Sequence, residues 1–202
     1  MTTTASTTLR DVIGLDGRLP RLADTTLIMI DFQNTYRSGV MALEGADEAL
    51  AAGARLLAAA RAAGTPVVHV VNDGGAGTPY DIRAEIGAVC DAVAPVDGEP
   101  VVVKGFPNAF HETDLEKSLR GLDAGPDLVL AGFMTHMCVT FTAQGAFNLG
   151  YRPTVVAEAT ATRPLAAPDG AVLSAATLQA AALTTIGDLF GTVALTVDDL
   201  TA

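Results

Sequence analysis

The chain has 202 residues, half of them apolar, with a formal net charge of −11. That length suits one domain (1–202) with a single sizeable core, and the acidity argues against nucleic acid, whose phosphates attract basic surfaces. No apolar run approaches the roughly 18–20 uncharged residues of a membrane span, so no membrane partner is expected.

The first segment, residues 1–19, is Thr-rich and lacks the basic-then-apolar pattern of a signal peptide. It reads as a loosely held N-terminal arm on a cytoplasmic protein. Thr26 to Ile30 is a continuous apolar run and reads as strand one. Ala46 to Ala63 is rich in Ala and Leu, has no proline and is followed by Gly64, so it reads as a C-capped helix. Pro66 to Val71 is β-branched and reads as strand two. Asn72 to Tyr80 carries three glycines and a proline and reads as a loop at the rim of a site.

Val101 to Lys104 is strand three. Thr113, with Glu116 three residues on, reads as a capping box that opens a short helix. Leu128 to Ala131 is strand four, Met137 to Leu149 a helix ended by Gly150, and Thr154 to Ala157 strand five. Gly170 to Phe190 reads as largely helical, and Val193 to Thr196 as strand six. Strands alternating with helices predict an α/β fold, a three-layer α/β/α arrangement around a six-stranded parallel sheet. Continuous apolar strands fit a sheet covered on both faces.

In a parallel sheet the carboxyl ends of the strands lie along one edge, where ligands bind. Three reactive side chains sit at such ends: Asp31 after strand one, Lys104 closing strand three, and Cys138 where strand four hands over to a helix. A thiol at a helix N-terminus feels the positive end of the dipole, which favours thiolate, and the turn around it supplies N–H groups for an oxyanion. Beside a thiol, a buried Asp31 is a general base, and Lys104 orients it and stabilises negative charge. Each residue alone has a plainer reading: a buried small hydrophobe for Cys138, a turn or cap residue for Asp31, a snorkelling edge lysine for Lys104. Their joint order at successive strand ends favours the chemistry.

Cys90 has no such context and reads as structural, and His69, inside strand two, as a hydrogen-bonded core histidine. Two cysteines without CxxC or Cys/His zinc spacing make neither a disulfide scaffold nor a zinc site. Gln33, Asn34 and Tyr36 follow strand one closely enough to line a pocket. Phe106 and Phe110 are candidates for its apolar wall, His136 for a substrate contact or second base, and His111 for a place near the mouth.

Ile-Asp31-Phe-Gln33-Asn, Val-Val-Val-Lys104, Asn108-Ala-Phe110 and Ala131-Gly-Phe-Met-Thr135-His-Met-Cys138-Val, in that order, resemble the isochorismatase-like cysteine hydrolase superfamily from about Thr25 to Thr196. The resemblance implies an Asp31/Lys104/Cys138 triad. It also implies a cis peptide at Phe133–Met134, aiming the Met134 N–H with the Cys138 N–H at the oxyanion. Phe133 and Thr135 then join the substrate-binding candidates. Nicotinamidases of that superfamily carry an Asp-x-His metal motif after strand two. This chain reads Asn72-Asp-Gly-Gly-Ala-Gly there, so no metal and no cofactor are expected.

The expected activity is hydrolysis of a C–N bond in a small amide, lactam or ureido compound through a Cys138 thioester. The rivals are vinyl-ether hydrolysis with Asp31 as general acid, and a non-catalytic binding or assembly protein on the same fold. Similar proteins self-associate, so a homo-oligomer, dimer or larger, is expected, with the Ala-rich late helix as a smooth face. The loops Asn72 to Glu85 and Thr160 to Asp169 would select the substrate.

Overall fold

The structure, a computed structural model, describes residues 4–201. Its elements in chain order are α1 (Leu9–Val12), β1 (Thr26–Ile30), α2 (Ala46–Ala63), β2 (Val67–Asn72), β3 (Val101–Lys104), α3 (Leu115–Gly121) and β4 (Asp127–Phe133). There follow α4 (Thr140–Asn148), β5 (Arg152–Ala161), β6 (Leu165–Ala166), β7 (Val172–Leu173), α5 (Ala175–Thr185), β8 (Thr192–Ala194) and α6 (Asp198–Thr201). Six strands pair in parallel in the order β3-β2-β1-β4-β5-β8, and β6 and β7 form a small antiparallel hairpin.

Side-chain alternation along the strands divides the core in two. Leu27, Met29, Val129 and Ala131 face one side, where Leu50, Leu56 and Leu57 of α2 cover them. Ile28, Ile30, Leu128 and Leu130 face the other, under Leu115 and Leu119 of α3 and Ala143 and Ala146 of α4. Each fully buried Leu or Ile stabilises the fold by about 1.5–3 kcal/mol. The helix α2 forms from good helix formers, with Asp47 and Glu48 in its first turn to meet the dipole. Gly64 ends it in the left-handed region (φ 71°), donating its N–H back to the last turn. Gly53 leaves room for the Phe32 ring, which comes within 2.5 Å of where a Cβ would stand.

Several elements differ from their sequence reading. From Thr8 the arm is held: Thr8 caps α1, the Leu9 N–H donates to Asp188 Oδ1, and Arg10 Nη1 reaches the Leu189 carbonyl. Residues 1–3 lie outside the described residues. The capping box does not form, because the Thr113 hydroxyl accepts from the Leu115 N–H and donates to the Ala109 carbonyl, while Glu116 pairs with Arg120. The strand β5 runs on to Ala161, through an irregularity in its pairing with β4. The stretch read as one late helix begins with a hairpin strand, and Ser174 caps α5 with its side chain.

Candidate active site

The sheet order reverses at β1, with β2 and β3 to one side and β4, β5 and β8 to the other. A crevice at the carboxyl ends of the strands is the ligand position that this topology favours. Register aligns the ends: Lys104 is level with Asn72, and Ile30 with both Val70 and Gly132. Asp31 therefore emerges beside Asn72 and the start of the turn that carries Cys138. Its backbone is left-handed (φ 50°), a conformation Asp tolerates better than most residues. Its N–H donates to the Val70 carbonyl, which ties it to β2.

Cys138 lies in a wide, π-type turn, Thr135–Val139, ahead of α4. The Phe133–Met134 peptide entering this turn is cis. Met137 and Val139 both donate their N–H groups to the Met134 carbonyl, and the Thr140 hydroxyl donates to the Thr135 carbonyl. The Met134 N–H has no acceptor among the described residues. Gly132 makes the approach to the turn possible. Its φ of 132° and a notional Cβ only 1.8 Å from the Ile30 carbonyl oxygen exclude a side chain.

The three side chains meet. Lys104 Nζ stands 2.7 Å from Asp31 Oδ2 with both side chains fully buried, and donates to Cys138 Sγ at 3.2 Å and Asn72 Oδ1 at 3.3 Å. The ammonium at that distance is the charged partner of the carboxylate, and the Cys138 thiol and the Asn72 N–H act on Asp31 as well. Burial raises the Asp31 pKa more than Lys104 lowers it. Burial works against the Lys104 charge, but Asp31 and Cys138 hold its pKa above the ordinary value.

Burial, reinforced by the Asp31 charge, pushes the Cys138 thiol up to about 12. The sequence expectation of a dipole-favoured thiolate is thus overturned. Cys138 is only 7% exposed and faces a carboxylate, and these outweigh the turn and the nearby ammonium.

Of the candidate substrate contacts, several are engaged elsewhere. Gln33 is fully buried. Its amide donates to the Asn72 and Gly87 carbonyls and accepts from the Asn72 N–H, so it clamps the end of β2 instead of facing a ligand. The Asn34 amide donates to the Glu85 carbonyl. The Thr135 hydroxyl donates to the Ala161 carbonyl and ties the nucleophile turn to β5. Phe133 is a core residue between Phe32 and Tyr36, with ring centroids 4.9 and 5.5 Å away. Phe110 turns away and stacks on Tyr151, which precedes the amino end of β5. Phe106 is half exposed and packs edge-on against His111.

Tyr36 is buried beneath Tyr80, and its hydroxyl feels both Asp31 and Cys138. His136 is partly buried, with Nδ1 2.5 Å from the Thr162 hydroxyl. His69 meets Glu99 at 2.8 Å inside the fold, and Cys90 is buried. Sequence reasoning missed Asn72, Tyr80, Thr162 and Arg163, all from the loops or strand ends around the triad. Only the loop positions hinted at them. A separate cleft of about 380 Å³, lined by Arg10, Arg18, Asp127 and Arg152, lies at the opposite, amino end of β5 and holds no nucleophile.

The chain is similar to known proteins along almost its whole length. It is 32% identical to the secreted isochorismatase effector Isc1 of Verticillium dahliae, over 91% of this chain and 94% of that one. It is 36% identical to a maleamate amidohydrolase of Pseudomonas putida, over 65% of this chain and 70% of the other. The crystal structure of an isochorismatase from Pseudomonas putida KT2440 superposes with a TM-score of 0.92 at 39% identity, covering 97% of this chain and all of that one. With the Isochorismatase domain model matching residues 25–188, the chain belongs to the isochorismatase family.

Proposed function

We propose that the protein is a cysteine hydrolase of a carbon–nitrogen bond in a small amide, lactam or ureido compound. One observation carries the reading: a buried carboxylate stands beside a buried thiol, and one ammonium touches both. The maleamate amidohydrolase among its relatives supports the same bond type. In this reading the Cys138 proton passes to Asp31 as sulfur attacks the carbonyl carbon, so the high thiol pKa is met by a base already in place. The oxyanion is received by the Met134 and Cys138 N–H groups. Asp31 returns the proton to the departing nitrogen, the C–N bond breaks and a Cys138 thioester remains. Asp31 then takes a proton from water, the hydroxide opens the thioester, and the acid leaves as the proton returns to sulfur. Lys104 holds Asp31 and balances its charge.

Self-association belongs to the same proposal: Ala176, Ala180 and Ala181 leave one face of α5 exposed for a second copy. No helix among the described residues is long and apolar enough to cross a membrane. The free thiols Cys90 and Cys138 support a reducing compartment such as the cytoplasm.

The test is Cys138→Ala against a panel of small primary amides, lactams and ureido acids. Turnover is expected to fall by roughly a thousandfold or more with circular dichroism unchanged. Mass spectrometry of the quenched wild type should find the acyl group on Cys138. Undiminished turnover by the variant would rule out the covalent route.

A second reading is vinyl-ether hydrolysis, with a protonated Asp31 as the general acid. It is favoured by the upward shift of the Asp31 pKa and by the names of Isc1 and the superposed isochorismatase. In that case Cys138→Ala keeps activity and Asp31→Asn loses it.

A further inference from the structure

The amino ends of β4, β5 and β8 lie at the edge of the sheet away from the triad. Asp127 is level there with Arg152, and Thr154 with Thr192. The N-terminal arm lies against this edge and encloses the cleft of about 380 Å³. Arg10, Asp16 and Arg18 form one wall from the arm, and Asp127, Arg152 and Thr154 the other from the sheet. The two walls act on each other: Asp127 and, across the cleft, Asp16 hold the Arg152 pKa above its ordinary value. The arm is nevertheless lightly held. Its helix α1 buries no residue, and a second gap of about 300 Å³ opens between the arm and Gly187 and Gly191.

The cleft has more hydrogen-bond donors than acceptors to meet them. Arg18 uses Nε and Nη2 on the Asp16 carboxylate, and Arg152 uses the same two groups on Asp127, which leaves Nη1 of each open. Arg10 donates to the Leu189 and Asp16 carbonyls, so its charge meets no carboxylate among the described residues. Arg21, exposed on the same rim, has no ion-pair partner among them either. Asp24 is the one further carboxylate in the lining, so the cleft is positive by one charge in a chain of net charge −11. The Thr154 and Thr192 hydroxyls stand 2.7 Å apart in it, and whichever of them accepts keeps its own proton for a ligand. Leu19, Pro20 and Pro153 add an apolar strip. A surplus of planar N–H donors suits phosphate oxygens. The volume is that of a small-molecule site and exceeds what a bare phosphate fills.

We propose that this cleft is a second binding site, for a small phosphate monoester. The phosphate lies between Arg10, Arg21 and the open Nη1 of Arg152, and the organic group rests on Leu19, Pro20 and Pro153. Such a ligand touches both walls and so fastens the arm to the sheet: whatever binds the docked arm alone stabilises that state by mass action. The site is at the opposite end of β5 from the triad, so it stands independently of the carbon–nitrogen hydrolase reading.

Calorimetric titration of the wild type compares phenyl phosphate, inorganic phosphate and phenol. Phenyl phosphate is expected to bind one-to-one and several-fold more tightly than inorganic phosphate, with no binding of phenol. Arg21→Met and Arg152→Met, each with unchanged circular dichroism, should both weaken phenyl phosphate by about tenfold or more. Trypsin reads the arm. Cleavage after Arg18, whose side chain is 88% exposed, should slow when phenyl phosphate is added, and in Arg152→Met that protection should be lost. No binding at millimolar concentration, equal affinity for phosphate with and without the phenyl group, or an affinity that either substitution leaves untouched would each overturn the assignment. The last of these would place the anion elsewhere, for example beside Lys104. Binding that leaves cleavage after Arg18 unchanged would remove the fastening of the arm.

Discussion

Replacing Lys104 with Met is the sharpest test of the electrostatics. The side chain is fully buried, as is that of Asp31, and the two charges stand 2.7 Å apart. Met nearly matches the lysine stem in volume, so little cavity is made and the change is mainly one of charge. Removing one partner of a buried pair costs about 3–5 kcal/mol, because the other charge stays buried and unmatched. For a domain of this size that is roughly 6–20 °C in melting temperature, at about 2–4 °C per kcal/mol.

The cost has a pH signature. The Asp31 pKa is already raised, and losing the ammonium raises it further. A carboxyl whose folded pKa lies above its unfolded value binds its proton more tightly in the folded state. The penalty is therefore full above the folded pKa. It shrinks as the pH falls from there toward the unfolded value of 3.8, by at most about 1.4 kcal/mol per pH unit. Urea unfolding of wild type, Lys104→Met and Asp31→Asn/Lys104→Met at pH 8 and pH 5 reads this directly. The single variant should lose less at pH 5 than at pH 8. The double variant, with no charge left to strand, should be more stable than the single at pH 8. Equal losses at both pH values, together with a double variant no better than the single, would refute the ion-pair account.

Two further outcomes follow from the site. Iodoacetamide labelling of Cys138 should be slow at pH 7 and rise about tenfold per pH unit through pH 9 without levelling off, since the thiol titrates near 12. Asp31→Asn should speed labelling at pH 8 by removing the carboxylate that raises the thiol; a wild-type plateau below pH 9 contradicts both statements. Gly132→Ala forces a Cβ against the Ile30 carbonyl from a positive φ and should cost roughly 3 kcal/mol or more. A melting temperature within 2 °C of wild type would show that the strand end yields more easily than its geometry implies.

The sheet was legible where one local signal decides the outcome. The apolar runs of β1 and β3 and the Ala/Leu run of α2 begin and end where their residues predict. Asp31, Lys104 and Cys138 were readable because strand ends of a parallel sheet share an edge. Whatever depends on where a side chain turns after leaving its strand was not readable. Gln33 and Thr135 are polar residues beside the triad, but nearby carbonyls claim them. Phe110 finds Tyr151, a partner 41 positions further along the chain. The long β5 escaped notice because Glu158 interrupts its apolar run. That carboxylate is matched by Arg55 and by the Val197 N–H, partners that only the fold supplies. The thiol pKa was misjudged for a related reason: a helix terminus is visible in sequence, whereas the burial that outweighs it is not.

The departures from local rules gather at one end of the sheet. Asp31 takes a left-handed backbone, Gly132 a φ open only to glycine, and a carboxylate and an ammonium are sealed from water beside a thiol. Apolar residues in place of such a pair often leave a protein as stable or more so. Stability alone therefore gives no reason for Asp31 and Lys104 to be ionisable, whereas the proposed movement of a proton to and from sulfur does. The surrounding architecture tolerates the cost: β1 and β4 are buried almost end to end, and their hydrogen-bonded register fixes the exits of Asp31 and the Cys138 turn before any side chain of the site is considered. Gly132 and the charge at Asp31 thus sit at the ends of two buried strands. Tyr80 and Arg163 lie in the segments after β2 and β5, which can change without disturbing the triad.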